Sequence, residues 1–452
     1  MGFLKWLYPG IGIKRWVILT IVGGLLAGVG LDCLFGEGVV VEMVRSWTHI
    51  GPQASAGGHF VILGFALLSL GVLGIGFGLS KAVKCVVAAV APGYGGRLAH
   101  DMLQASTLRR GPSIVAIGGG TGLSTLLRGI KEYTTNITAI VTVTDDGGSS
   151  GRLRTEMGIL PPGDIRNCLV ALADKEPLME QLFQYRFKGN TDLNGHNFGN
   201  LLIAALTDLF GDFEVAVKES SKVLAIRGRV LPSTLSDVTI WAEMSDGSTV
   251  RGETNIASHE LPIKRVFIEP PSCRPLPEAI EAIRTADAIV LGPGSLYTSV
   301  IPNLLVKELT EAIRRARAPK IYVCNVMTQK GETDNYTVCD HVNAVLEHSY
   351  PDLIDFCIVN DTPVSEHLIA KYRSMSQEPV KDDSDALAEK GIRVLRAPVV
   401  SETHLVRHDS QKLAEVLIQL LYDLREAQAP GSRVHQCIEH MRSRIDSLAY
   451  RH

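Results

Sequence analysis

A chain of 452 residues with 46% hydrophobic and 21% charged residues has the composition of an ordinary folded protein, long enough for more than one structural unit, which excludes disorder as its main state. Its 45 Lys and Arg against 48 Asp and Glu leave a net charge of −3, and no basic stripe with interleaved aromatics breaks that balance, so nucleic acid is not an expected partner. Eight cysteines scattered without a Cys-x-x-Cys pair argue against a structural zinc site and a disulfide framework; they read as reduced, mostly buried thiols.

The positive mean hydropathy of +0.14 has its source near the N-terminus. Trp16 to Leu31 is an unbroken apolar run that continues to Phe35 across Asp32, and Phe60 to Ser80 is a second run without a charge. Each approaches the ~20 residues that cross a hydrocarbon core as a helix. Repeated glycines (Gly23, Gly24, Gly28 and Gly30; Gly64, Gly71, Gly74, Gly76 and Gly78) suit two helices packed backbone to backbone. Lys5, Lys14 and Arg15 precede the first run, while Lys81, Lys84, Arg97, Arg109 and Arg110 follow the second, and the connecting loop of residues 36 to 58 holds only Arg45. The positive-inside bias then puts both termini and the large C-terminal domain in the cytoplasm of a multi-pass cell-membrane protein. Residues 1 to 91 are thus expected to be an anchor, and 92 to 111 a Pro- and Gly-rich linker.

From Ser113 onward short apolar runs alternate with helical patterns, which predicts an α/β fold: a Rossmann-like, mostly parallel sheet covered by helices on both faces over residues 112 to 425. Strands are predicted at 113–117, 137–143, 287–291, 319–325, 355–359 and 392–396. Helices are predicted near 122–132, 164–173, 176–186, 198–210, 276–285, 303–316, 339–349, 364–372 and 409–425. Between 223 and 269 the alternation of polar and apolar residues predicts a small antiparallel insertion, and residues 426 to 452 a C-terminal tail.

The chemistry gathers at strand ends. Ile114 to Ile117 runs into Gly118-Gly119-Gly120-Thr121-Gly122 and then a helix, where glycines let the backbone approach a diphosphate and free N–H groups favour negative charge. Gly119, Gly120, Thr121 and Gly122 are therefore candidate ligand contacts. Leu123 stands where a dinucleotide enzyme has its last glycine, which weakens an NAD-dependent reading, and no P-loop lysine follows. The next strand ends in Thr144 to Arg152, where Asp145 or Asp146 could hold a ribose or sugar hydroxyl, or a Mg²⁺ ion, and Ser149 lies alongside. Pro161-Pro162-Gly163-Asp164-Ile165-Arg166-Asn167 adds Asp164, placed to cap a helix, and Asn167. Gly195 to Asn200 adds His196, Asn197 and Asn200. Leu291 to Ser299 repeats the strand-then-glycine pattern, with Gly294, Ser295 and a Tyr297 able to stack on a base or bond a phosphate. Asn325 to Gln329 leaves its strand at the same edge. No Ser-His-Asp or Cys-His set supports hydrolysis, and no residues are assigned to a metal site.

The first five of these motifs, from Gly118 to Tyr297, together resemble the gluconeogenesis-factor family, within the CofD-like superfamily that includes 2-phospho-L-lactate transferase, over about residues 110 to 400. The resemblance implies binding of a UDP-sugar such as UDP-N-acetylglucosamine and support of cell shape and envelope synthesis during gluconeogenic growth. It implies that the glycine loop and Gly294 to Tyr297 hold the diphosphate and nucleoside. Asp164 would sit where the transferases place an acidic residue near the acceptor. Their Pro-Asp-x-Asp stretch is Pro162-Gly163-Asp164 here, which favours a non-catalytic binder over the alternative of a phosphotransferase using a nucleoside-diphosphate-linked donor and Mg²⁺. The expected partners are a nucleotide ligand, the membrane through residues 16–35 and 60–80, and further copies of the chain in a homo-oligomer.

Overall fold

The computed structural model describes residues 14–35, 57–90, 106–174, 177–402 and 405–428, and the chain divides into two compact units, Met1–Ala105 and Ser106–His452. The first unit pairs helix α1 (Lys14–Phe35) with α2 (Gly57–Val90). Within them, Lys14–Leu34 (21 residues, mean hydropathy 2.2) and Val61–Cys85 (25 residues, 2.3) are long and apolar enough to cross a membrane. Only 17% of either window is buried, whereas the core helix of a soluble domain hides most of its surface. A Cβ on Gly71 would stand 2.5 Å from the Ala27 nitrogen, so the two backbones touch there and only glycine fits. The expected outer loop, up to residue 56, and the linker, up to residue 105, lie outside the described residues; Ser106 to Arg109 are helical.

The second unit is built on a seven-stranded parallel sheet: β1 (Ile114–Gly118), β2 (Ile137–Val141), β3 (Arg229–Pro232), β7 (Ala288–Leu291), β8 (Lys320–Val323), β9 (Phe356–Asn360) and β10 (Arg393–Ala397). Their spatial order is β10-β9-β8-β7-β1-β2-β3. β1, β2 and β7 are buried at every position, as expected of strands with helices on both faces. Six strands stand where the alternation predicts them. β3 is the exception: its four residues end in proline and fall inside the predicted antiparallel insertion, yet they pair in parallel with β2. The antiparallel sheet is consequently smaller, formed by β4 (Thr239–Met244), β5 (Thr249–Arg251) and β6 (Ile263–Glu269).

Three helices lead from the glycine-bearing loops: α3 (Gly120–Ile130), α5 (Gly163–Leu172) and α7 (Phe198–Phe210), close to their predicted ranges. A helix not predicted from the sequence, α4 (Gly148–Met157), occupies the second half of the Asp-rich loop. It buries only Ser149, Ser150, Gly151 and Leu153, so it carries no apolar stripe for a periodicity argument to find. Also unforeseen is the hairpin β11 (Val400–Glu402) and β12 (Val406–His408), two strands of three residues each. It is followed by the last helix, Ser410–Gln428, which packs on α3; the remainder of the expected tail lies outside the described residues.

Candidate functional site

The chain runs β1, β2, β3 in one direction, then returns to place β7 on the other flank of β1 and continues outward through β8, β9 and β10. Connections therefore leave β1 and β7 in opposite senses, and a crevice opens at the carboxyl ends of that pair. Both glycine loops rim it. They are in contact: a Cβ on Gly122 would lie 2.5 Å from the Pro293 carbonyl oxygen. The backbone N–H groups of Thr121 and Gly122, in the first turn of α3, have no hydrogen-bond partner among the described residues. Unpaired amides at a helix start carry partial positive charge, which is the electrostatic condition for binding an anion.

A cavity of about 210 Å³ lies against these amides, lined by Gly119, Gly120, Thr121, Gly122, Gly294 and Ser295, the six loop residues that the sequence placed there. The lining also includes Asn325 and Gln329, from the segment that the sequence put at the same edge, and Arg407 and His408, which the sequence did not single out. Asn325 Nδ2 donates to the Gly294 carbonyl at 2.9 Å, and Gln329 Nε2 donates to Ser295 Oγ at 2.9 Å, so the segment after β8 is laced to the loop after β7. His408 Nε2 donates to the Cys324 carbonyl at 3.2 Å; burial pushes its imidazole down to about 4, so it remains neutral at physiological pH. Arg407 is exposed and makes no hydrogen bond or ion pair through its guanidinium among the described residues. No sequence motif marks it; the signal available was a lone basic residue in a short alternating segment.

Tyr297 is not on the wall of this cavity. Its ring is 2% exposed, and its hydroxyl lies 2.8 Å from that of Tyr336, so it belongs to the core rather than to a base-stacking surface. The turn Leu296–Val300 directs it inward, where its backbone N–H donates to Glu332 Oε2. Glu332 also accepts from Thr298 Oγ1 at 3.1 Å, and burial pushes its carboxyl up to about 7.

On the β2 side the carboxylates divide their tasks. Asp146 Oδ1 accepts from the N–H and hydroxyl of Thr254, at 2.9 and 2.6 Å, and so ties the antiparallel insertion to the loop instead of facing a ligand. Asp145 Oδ1 takes the Gly147 N–H at 2.9 Å. Asp164 does not cap α5. It accepts the Gly120 N–H across the crevice floor, with Oδ2 standing 2.5 Å from where a Gly119 Cβ would be. Burial and then the charge of Asp145 push Asp164 up to about 6. Glu253, at the start of a short helix in the insertion (Glu253–Ala257), is pushed up to about 9 by burial, then by Asp145 and Asp164. Its Oε2 is buried without a hydrogen-bond partner. Among the described residues no three His, Cys, Asp or Glu side chains are arranged to hold a metal ion.

The remaining candidates form a closed polar lattice between α4, α5 and α7. Ser149 Oγ lies 3.1 Å from His196 Nδ1 and accepts the Asn197 N–H. Asn197 caps α7 by accepting the Asn200 N–H at 3.2 Å. Arg166 donates to Asn200 Oδ1 at 3.0 Å and to Asn167 Oδ1 at 2.6 Å. Ser149, His196, Asn197 and Asn200 are all at most 5% exposed, and each of these side chains is used within the protein. Burial and the nearby Arg186 bring Arg166 down to about 10, and its Nε is buried without a hydrogen-bond partner.

An open switch-point crevice with free amides and a single-sided cation defines the class: an α/β protein with a crevice suited to an anion at the carboxyl edge of its parallel sheet. The chain belongs to the family of the 2-phospho-L-lactate transferase CofD, whose profile matches residues 114–400. It is 52% identical over 311 residues to the gluconeogenesis factor of Bacillus subtilis, an alignment covering 69% of this chain and 98% of that one. A protein of Nostoc sp. (strain PCC 7120) named in the same terms is 48% identical over 428 residues, 92% of each chain. The crystal structure of a UPF0052-family protein from Bacillus halodurans, 50% identical, superposes with a TM-score of 0.66 over 68% of this chain and 98% of that one.

Proposed function

We propose that the chain is a membrane-anchored, cytoplasm-facing regulator that binds a nucleotide-sugar of the UDP-N-acetylglucosamine kind and couples it to cell shape and envelope synthesis during gluconeogenic growth. The observation that carries this reading is the cavity lined both by Thr121 and Gly122, whose backbone amides are without partners among the described residues, and by Arg407. Amides in a fixed array plus one arginine suit the two phosphates of a nucleoside-diphosphate ligand. The two apolar helices of the first unit and the basic residues beside them support the anchor and its orientation.

A second reading, a phosphotransferase, is favoured by one observation: Asp164, with its carboxyl pushed up to about 6, lies at the floor of the same loop. In that case Asp145 and Asp164 would hold a Mg²⁺ ion carried in by the phosphates, and the ion would supply neutralisation of the diphosphate charge. Thermal unfolding of the detergent-solubilised chain with UDP-sugars, UDP, GDP, NAD and NADP tests the first reading. A cognate ligand at 100 times its dissociation constant adds ~2.7 kcal/mol. Stabilisation by NAD or NADP alone, or by none of these ligands, overturns it. Asp164→Asn separates the two readings. A regulator retains its affinity and shows no Mg²⁺ dependence, whereas a transferase loses turnover and its Mg²⁺ requirement.

A further inference from the structure

We infer that the nucleoside half of the ligand occupies a second chamber, at the carboxyl ends of β8 and β9, and that Asp361 and Thr362 form its recognition edge; this rests on the diphosphate reading above. A cavity of about 210 Å³ opens there. It is continuous in lining with the phosphate cavity, since Asn325 and Val326 belong to both walls. The two cavities together fall in the ~300–1,000 Å³ range of small-molecule sites, while either alone is too small for a nucleoside diphosphate.

The chambers differ in chemistry. The first offers amides and a cation. The second is walled by Val359, Val364 and Pro379, with Asn360, Asp361 and Thr362 along one side, and among the described residues no lysine or arginine lines it. Apolar walls with a polar edge suit a flat heterocycle, which has hydrophobic faces and a hydrogen-bonding rim.

The polar edge has a defined sense. Asn325 Nδ2 is spent on the Gly294 carbonyl and Asn360 Nδ2 on the Thr362 carbonyl at 2.7 Å. Among the polar groups lining the chamber, the ones left with open capacity are acceptors: the amide oxygen of Asn325 and the carboxylate of Asp361, which is exposed and takes only a long 3.4 Å contact from Thr362 Oγ1. Acceptors select a ligand that brings donors, such as the ribose hydroxyls and the ring N–H of an imide base.

Calorimetric titration of the full-length chain with inorganic pyrophosphate and with UDP tests the placement. Thr362→Trp adds bulk at the half-buried rim of the chamber and is expected to weaken UDP at least tenfold while leaving pyrophosphate within twofold; retained pyrophosphate binding also reports an intact fold. Asp361→Ala is expected to weaken UDP severalfold with the same indifference to pyrophosphate. Equal UDP affinity in the parent chain and in Thr362→Trp overturns the placement. Absence of both UDP and pyrophosphate binding in the parent chain overturns the diphosphate reading itself, and the chamber assignment with it.

Discussion

Two regions of the second unit carry equally dense polar motifs and end in opposite states. Around Thr121 the backbone amides and the Arg407 side chain find no partner among the described residues and face a cavity; around His196 the serine, histidine and asparagines bond one another and are sealed from solvent. Unsatisfied donors in a hollow are free energy available to a ligand, whereas a satisfied lattice spends the same groups on holding three helix starts together. Polar residue content alone therefore does not locate a binding site; the balance of donors and acceptors does.

The largest expected effect that sharpens this contrast comes from Arg407→Ala. Loss of a charge-assisted contact to phosphate costs about 1.5–3 kcal/mol, so the affinity for a UDP-sugar should fall roughly ten- to a hundredfold by calorimetry. The melting temperature without ligand should stay unchanged, because the side chain supports nothing in the fold.

Next comes Glu253. Its folded pKa, about 9, lies above the ordinary carboxylate value, so the native state holds a proton that the unfolded chain releases, and stability declines as pH rises through 7 to 9. Asp164 and Glu332, at about 6 and about 7, have completed most of their change by then, and the buried histidines act below pH 6.5 with the opposite sign. Glu253→Gln should remove about 1–3 kcal/mol of that decline, read from urea unfolding at pH 7 and pH 9. An unchanged slope would mean that the acid is solvated.

The smallest effect is His196→Ala. Ser149 loses its hydrogen-bond partner and the lattice weakens by about 1 kcal/mol, while the UDP-sugar dissociation constant moves less than twofold. A tenfold loss of affinity in this variant would erase the distinction between the two regions.

How much of this was legible in the sequence follows from range. Strands β1, β2 and β7 and the glycine loops could be read directly, because an apolar run and a glycine cluster are local features whose consequences are local. The placement of Gly119 to Gly122 beside Gly294 and Ser295 was legible too, since both loops leave the carboxyl edge of one parallel sheet. Arg407 and His408 were not, because they reach the crevice on a hairpin of two three-residue strands whose position depends on long-range packing against β8. Tyr297 was misread for a related reason: the pattern Gly-Ser-Leu-Tyr gives no sign of which way the turn after Ser295 points the ring. Asp146 looked like a ligand group and proved to be a clasp, because its partner Thr254 lies 108 residues away. The two long apolar helices of the first unit needed only length and composition.

The most direct test is a structure of the chain with a UDP-sugar bound, measuring the distances from the diphosphate oxygens to the nitrogens of Thr121 and Gly122. Values of about 2.7–3.2 Å, with the Arg407 guanidinium closing on the same phosphates, are the result expected. A diphosphate seated instead on the Asp145–Gly148 turn or among Ser149, His196 and Asn200, with the Thr121 amides left bare, would contradict it.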